Sequence, residues 1–389
     1  MRTRQRFFLT AVALAGSVLA AGLLTSLSSA SDGPITSTLA RIGTTWSTLE
    51  TQVARHVRGP GRSARLSWFK GLQEQADLLR QPSTVLLGAY DDGLPRSLDG
   101  VLALERALGT AFPIVHCYGA WGDEPEQQFP LALASAISGL GSVPLVTWEP
   151  WLSAFDATPR SGRGRDAQGL QAVARGDYDL YVDRWAGDAA RFGRPLFLRF
   201  AHEMNDPYRY PWGPQNNDPA DYVAAWRHLV TRFRLARADN VLWVFSPHVA
   251  YDGWEAYYPG DGYVDWTGTG TLNYGTATVW SQWQSFDDLY GRGREKLARF
   301  GKPVMITEIG SLATGGDRAR WFGEALANLP GRYPEVKALV FFHVAQDSST
   351  SYKALDWSFV NDRGVAAGIV RSAAGWDRPV RVAAHPGEP

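Results

Sequence analysis

Gly193-Arg194-Pro195-Leu196-Phe197-Leu198-Arg199-Phe200-Ala201-His202-Glu203-Met204-Asn205 carries the pattern that decides the fold. Ahead of it, Tyr181, Trp185, Ala189 and Phe192 are spaced 4, 4 and 3 apart, a helical stripe. Gly193 stops that helix and Pro195 opens a short apolar strand, which runs straight into polar residues. The same kind of β-rich run recurs at Thr84–Ala89, Pro113–Tyr118, Val143–Trp148, Val241–Ser246, Val264–Thr269, Pro303–Thr307 and Val336–Phe342. Helical spacing returns between them, as in Tyr222, Trp226, Leu229, Val230 and Phe233. Near-continuous apolar strands alternating with helices indicate a parallel sheet covered on both faces. Eight such units predict an α/β fold, a closed (β/α)8 TIM barrel spanning 84–372 as a single catalytic domain. No strand is followed by GxGxxG, so a dinucleotide-binding sheet lacks its main signature.

Composition narrows the function classes. Lys+Arg and Asp+Glu both number 39 in 389 residues, so no global field favours nucleic acid or an anionic membrane. Hydrophobic residues at 45% and charged residues at 20% describe a folded chain. A lone cysteine, Cys117, excludes an intramolecular disulfide framework and multi-cysteine metal centres. Sixteen Trp beside 15 Tyr and 17 Phe exceed the needs of one core and favour a cleft that stacks flat ligands.

The ends read differently. Arg2, Arg4 and Arg6 precede an apolar run from Phe7 to Leu27, followed by Ser28-Ser29-Ala30. This order describes a secretory signal cleaved after Ala30, while about 20 apolar residues also suffice for an uncleaved membrane anchor. Either reading of 1–30 sends the remainder out of the cytoplasm, secreted or on the extracytoplasmic face of the membrane. Residues 31–83 read as an N-terminal helical extension. Leu39, Ile42, Trp46, Leu49 and Val53 form one stripe, Gly59-Pro60-Gly61 a hinge, and Leu66, Phe69, Leu72, Ala76 and Leu79 a second helix ended by Pro82. Residues 373–389 form a C-terminal tail. Nothing in the pattern sets an oligomeric state.

In a barrel, chemistry gathers at the C-terminal ends of the strands. Two carboxylates stand there directly after apolar runs, Glu203 after the fourth strand and Glu308 after the seventh. An unpaired charge in such a place is costly. Other chemistries fail on spacing. His202-Glu203 begins like HExxH, but position 206 is Asp, and neither a GxSxG elbow nor a phosphate loop is present. The residues therefore call for no metal and no cofactor.

Two opposed carboxylates among aromatics match glycoside hydrolysis, in which one acid protonates the departing oxygen and the other attacks or stabilises the sugar centre. Trp121, Trp148, Trp151, Tyr208, Trp212, Trp254 and Trp280 are candidate platforms for the apolar faces of sugars, with Trp148, Trp151 and Trp212 foremost. Glu149, His202 and His343, also at strand ends, are expected to meet hydroxyls. The long loop at 159–176 carries Arg160, Arg163, Arg165 and Arg175.

Three segments resemble glycoside hydrolase family 26. Arg199-Phe200-Ala201-His202-Glu203-Met204-Asn205, with Tyr210-Pro211-Trp212-Gly213, is similar to its acid/base segment. Tyr257-Tyr258-Pro259-Gly260 through to Asn273-Tyr274 resembles its strand-six segment, and Lys302–Gly310 its nucleophile strand. The resemblance implies a retaining mechanism with Glu203 as acid/base, Glu308 as nucleophile, His202 as a pocket hydrogen-bonder and Tyr274 as the phenol held against the nucleophile. The family's mannanases usually place Trp at the end of strand eight, whereas this chain reads Phe341-Phe342-His343-Val344. The favoured substrate is accordingly a β-glucan or mixed-linkage β-1,3-1,4-glucan, with β-1,4-mannan as the alternative. A barrel that binds polysaccharide without turning it over is the reading from another class.

Overall fold

The computed structural model describes residues 47–53, 60–155, 167–349 and 353–376. Eight parallel strands close in sequence order: β1 Leu86–Asp91, β2 Ile114–Ala120, β3 Val143–Glu149, β4 Leu196–Phe200, β5 Val241–Phe245, β6 Trp266–Asn273, β7 Val304–Ser311 and β8 Val336–His343. This is the (β/α)8 barrel. Helices Asp99–Leu108, Leu131–Gly139, Asp179–Phe192, Pro219–Leu235, Phe286–Ala298 and Arg318–Leu326 cover the sheet between strands, and Arg363–Ala373 follows β8. The β5–β6 connection holds only the 3-10 turns Trp254–Tyr257 and Asp261–Tyr263. Gly193 ends its helix with φ at +64°, where a Cβ would be strained.

Strand alternation sorts the side chains. Phe197, Leu145, Leu242, Val244, Met305, Ala338 and Val340 cluster inside the barrel, while their neighbours Leu198, Val146, Ile306, Leu339 and Phe341 pack outward against the helices. An irregularity late in β7 interrupts the alternation. Ile306 pairs with Thr269 on one side and Leu339 on the other, but the next pairs are Glu308 with Gly270 and Ile309 with Phe341. Thr307 and Glu308 together therefore oppose single residues on both neighbouring strands. Such a bulge re-aims side chains. Here it lets Thr307 and Glu308 both reach Arg199 inside the barrel.

The stretch expected to be one helix at 66–79 is broken into two short pieces, Lys70–Gln73 and Ala76–Leu79, preceded by the helical turns Pro60–Arg65. The break lets Leu66, Phe69 and Leu79 join the inward residues of the barrel's N-terminal end, forming its floor. Trp266 Nε1 donates to Leu79 O (2.9 Å), and Arg62 pairs with Glu105 (2.8 Å). Pro60-Gly61, read as part of a hinge, begins the first of these turns. Farther upstream, Gln52 Oε1 accepts from Leu98 N–H (3.0 Å), and Leu49 is buried in the main core. The segment read as a signal or anchor, 1–30, lies outside the described residues, as do Arg160, Arg163 and Arg165 and the tail beyond Trp376. Among the described residues, no helix is long and apolar enough to cross a membrane.

Phe69 is fully buried in the floor. Phe69→Ala should lower the unfolding free energy by about 3–5 kcal/mol in urea titrations. A loss below about 1 kcal/mol would show that this segment does not seal the barrel.

Candidate active site

The mouth of the barrel is organised around a buried cation. Arg199 stands on the inward face of β4 and is only 1% exposed. Its Nε donates to Thr147 Oγ1 (2.7 Å), Nη1 to Thr307 Oγ1 (2.8 Å) and Nη2 to Glu308 Oε1 (2.6 Å). Tyr118, from β2, donates its hydroxyl to the same Glu308 oxygen (2.8 Å). Burial works against the charge on Arg199, yet Glu308, Tyr118 and Glu203 together outweigh it and hold the guanidinium's pKa above its ordinary value. Burial and the adjacent Glu308 push the Tyr118 phenol well up, so it stays a proton donor.

Glu203 enters from the turn after β4. Ala201 and Glu203 both adopt positive φ, +42° and +51°, a conformation rare for side-chain-bearing residues. The Glu203 N–H donates to Ser246 O (2.8 Å) at the end of β5, which ties the turn to the barrel. Gly270 lies between the two acids. A Cβ there would stand 3.7 Å from Glu203 Oε1 and 3.9 Å from Glu308 Cβ, so this point of β6 adjoins both residues. Glu203 Oε2 pairs with Arg209 Nη1 at 3.3 Å.

His202 lies beneath this pair. Its Nε2 shares a hydrogen bond with the Tyr210 hydroxyl (3.0 Å), while its buried Nδ1 has no partner and sits 3.9 Å from Glu149 Oε1. Burial, with Arg199 and Arg209 nearby, holds the imidazole pKa well down, so the ring is neutral. Burial pushes the Glu149 carboxyl up from its ordinary value, opposed by the hydrogen bond from Trp151 Nε1 (3.0 Å).

Several expected sugar contacts lie elsewhere. Trp148 alternates with the inward Thr147 and Glu149, so it faces the helices. It is fully buried against Trp121, Trp185 and Tyr181 and is core rather than platform. Trp212 is 2% exposed, stacks on Tyr210 (4.6 Å) and donates to His202 O (2.8 Å), so it supports the site from behind. Trp121 and Trp254 are likewise buried. His343 points outward and latches the β1–β8 seam. Its Nδ1 meets Asp91 Oδ2 (2.9 Å) and its Nε2 accepts from Val360 N–H (3.3 Å), which leaves neither ring nitrogen for a ligand. Tyr274 packs against Trp280 and Trp357 and lies near enough to Arg209 to act on its charge, while Tyr118 donates a phenol hydrogen bond to Glu308 Oε1. Trp151 is half-buried, and Tyr208 and Trp280 are exposed.

Arg199, Tyr118 and Arg209 were not among the expected site residues. A charge inside an otherwise apolar strand was the available signal for Arg199. Tyr118 shares inward parity with Ile114 on β2, a clue readable only once the barrel interior is assigned. For a metal, the described residues offer one group, Glu203, Asp206 and His248, with one ligand atom each within 4.8 Å of the others. Asp206 Oδ1 and His248 Nδ1 already accept from backbone N–H groups, and the Arg209 cation adjoins Glu203. That set suits hydrogen bonding better than cation binding.

Residues 175–316 match the family model described as glycosyl hydrolase family 26, a span containing Glu203, Glu308 and every strand from β4 to β7. The chain belongs to glycosyl hydrolase family 26. It is 33% identical over 319 residues to Endoglucanase H of Acetivibrio thermocellus, covering 80% of this chain and 32% of that protein. It is 28% identical over 182 residues to the mannan endo-1,4-beta-mannosidase A and B of Caldalkalibacillus mannanilyticus, 44% of this chain and 30% of the relative. The chain thus spans about a third of the length of each of these relatives. Among solved structures, the GH26 beta-mannanase of Bacteroides ovatus superposes with a TM-score of 0.54 at 19% identity, covering 82% of this chain and 94% of that one. It shares the fold.

Tyr118→Phe removes one of the two donors on Glu308 Oε1 and leaves Arg199 in place. A hydrogen bond to a charged group is worth about 1.5–3 kcal/mol, so kcat on a glycoside substrate should fall roughly 10–150-fold, with KM little changed. A loss under about twofold would remove Tyr118 from the site.

Proposed function

We propose that the protein is a retaining endo-β-glycosidase with Glu308 as nucleophile and Glu203 as general acid/base. The observation that carries this reading is that Glu203 and Glu308 adjoin the same residue of β6, Gly270, with one oxygen of Glu308 held by Arg199 and Tyr118. Those two donors leave Glu308 Oε2 to attack the anomeric carbon. Glu203 protonates the departing oxygen and then deprotonates the water that releases the sugar. The order of basic, apolar and small residues at 1–30 supports placing this activity outside the cytoplasm.

For the substrate, a β-1,4-linked mannan is supported by the activity named for the C. mannanilyticus relative and by the recurrence of mannanases among the structural neighbours. This replaces the sequence-based preference for a glucan as the leading reading. β-Glucan remains the second reading on one specific ground, the longer likeness to Endoglucanase H. It fits with Phe342 on β8, stacked on Tyr90 (5.7 Å), at the strand where the family's mannanases usually carry Trp.

Proton NMR of the first-formed product should show the β-anomer. Glu203→Ala should lose far more activity on a polysaccharide than on dinitrophenyl glycosides, and azide should partly restore the latter. Inversion would exclude Glu308 as nucleophile, and equal losses without azide rescue would exclude Glu203 as acid/base.

Axial and equatorial 2-hydroxyls require different partners, and a mismatch that leaves a buried group unpaired costs about 1–3 kcal/mol. Measured side by side, kcat/KM on linear mannan should therefore exceed that on mixed-linkage glucan and carboxymethylcellulose by about 5–150-fold. The reverse ratio would establish the glucan reading and leave the catalytic pair untouched.

A further inference from the structure

The partner of Glu203 poses a chemical difficulty. A group that must donate a proton in the first half-reaction is paired with Arg209, a permanent cation 3.3 Å from its Oε2. Arg209 is not a loose surface residue. Its guanidinium lies over the Tyr210 ring (5.0 Å), and its Nη2 donates to Ser349 Oγ (3.3 Å) in the loop after β8. The side chain, 27% exposed, thus spans the mouth from the β4 turn to the β8 loop. Its cationic form is further favoured, against the cost of burial, by the Glu203 and Glu308 carboxylates.

A cation in contact with a carboxyl favours the ionised form and opposes the protonated one. The two half-reactions need opposite forms. In the first, a bond forms between Glu308 and the anomeric carbon, the glycosidic bond breaks, and the proton of Glu203 passes to the leaving oxygen. In the second, water oxygen bonds to the anomeric carbon, the bond to Glu308 breaks, and the water's proton passes to ionised Glu203. We propose that Arg209 is a positioning residue that acts through Glu203 to favour the second half-reaction, so that it sets the balance between forming and releasing the glycosyl-enzyme. This rests on the acid/base assignment of Glu203.

The test separates the two steps by substrate. With 2,4-dinitrophenyl β-mannobioside or β-cellobioside, the leaving group needs no proton and release is limiting. With polysaccharide, kcat/KM reports formation. Arg209→Gln should lower kcat on the activated glycoside by about two- to fivefold, the range for a partly exposed ion pair. Its kcat/KM on polysaccharide should be unchanged or raised. Arg209→Lys, which keeps the charge, should hold the wild-type ratio, and thermal melting of both variants checks that the fold is retained. Equal losses on both substrates would assign Arg209 a purely structural role, and no change on either would make it a bystander. Both outcomes overturn the proposal. Glu203→Ala, run in parallel, distinguishes the failures. If azide rescues Glu203→Ala but Arg209→Gln loses equally on both substrates, only the role of Arg209 falls. If azide does not rescue Glu203→Ala, the acid/base reading falls with it.

Discussion

A guanidinium inside a barrel is the constraint from which the rest of this structure follows. Arg199 is enclosed by sheet on all sides, and an uncompensated charge there would cost several kcal/mol. Its three nitrogens are met by Thr147, Thr307 and Glu308 from β3 and β7, with Tyr118 of β2 completing the cluster around Glu308. Four strands are thereby held in one relative height. The same contacts orient the carboxylate proposed as nucleophile, so the counter-ion that makes the core tolerable is also the proposed reacting group. The bulge at Thr307 and Glu308 belongs to this arrangement, because strict alternation would have turned one of them outward.

Much of this was legible in the amino-acid order. The eight runs of apolar residues between Gly and Pro signals correspond to the eight strands, and Glu203 and Glu308 stand where barrel chemistry is expected. What could not be read were features that depend on which face a strand presents. Trp148 looked like a platform because it ends a strand. Its parity with Val146 and against Thr147 sends it into the helical layer. His343 ends β8 in the same way and faces the same direction. The bulge leaves no local trace, since Ile306-Thr307-Glu308-Ile309 reads as an uninterrupted strand. The helical spacing at 66–79 concealed a segmented floor, because apolar residues packing under a barrel and along a helix share similar intervals.

The aromatic wealth of the chain also changes meaning once placed. Trp121, Trp148, Trp185, Phe200 and Tyr181 form a continuous shell between sheet and helices, with ring centroids commonly 4.5–6.1 Å apart. Offset and edge-on contacts of this kind each add about 0.5–1.5 kcal/mol beyond burial. Most of the Trp excess therefore serves packing. Of the seven rings expected as platforms, only Trp151, Tyr208 and Trp280 keep exposed surface.

The long reach of the Arg199 contacts has a consequence for how the molecule is made. Glu308 lies 109 residues beyond Arg199, and His343 lies 252 residues beyond its partner Asp91 at the seam. At ribosomal speeds of about 5–20 residues per second, the cation on β4 waits roughly 5–20 s for its counter-ion to emerge. During that interval a half-built barrel cannot bury the tip of β4 without stranding a charge, so water keeps the nascent sheet open. Closure is thereby postponed until the strand bearing Glu308 arrives, and premature collapse of the first half is penalised by the same ion pair that later rewards completion.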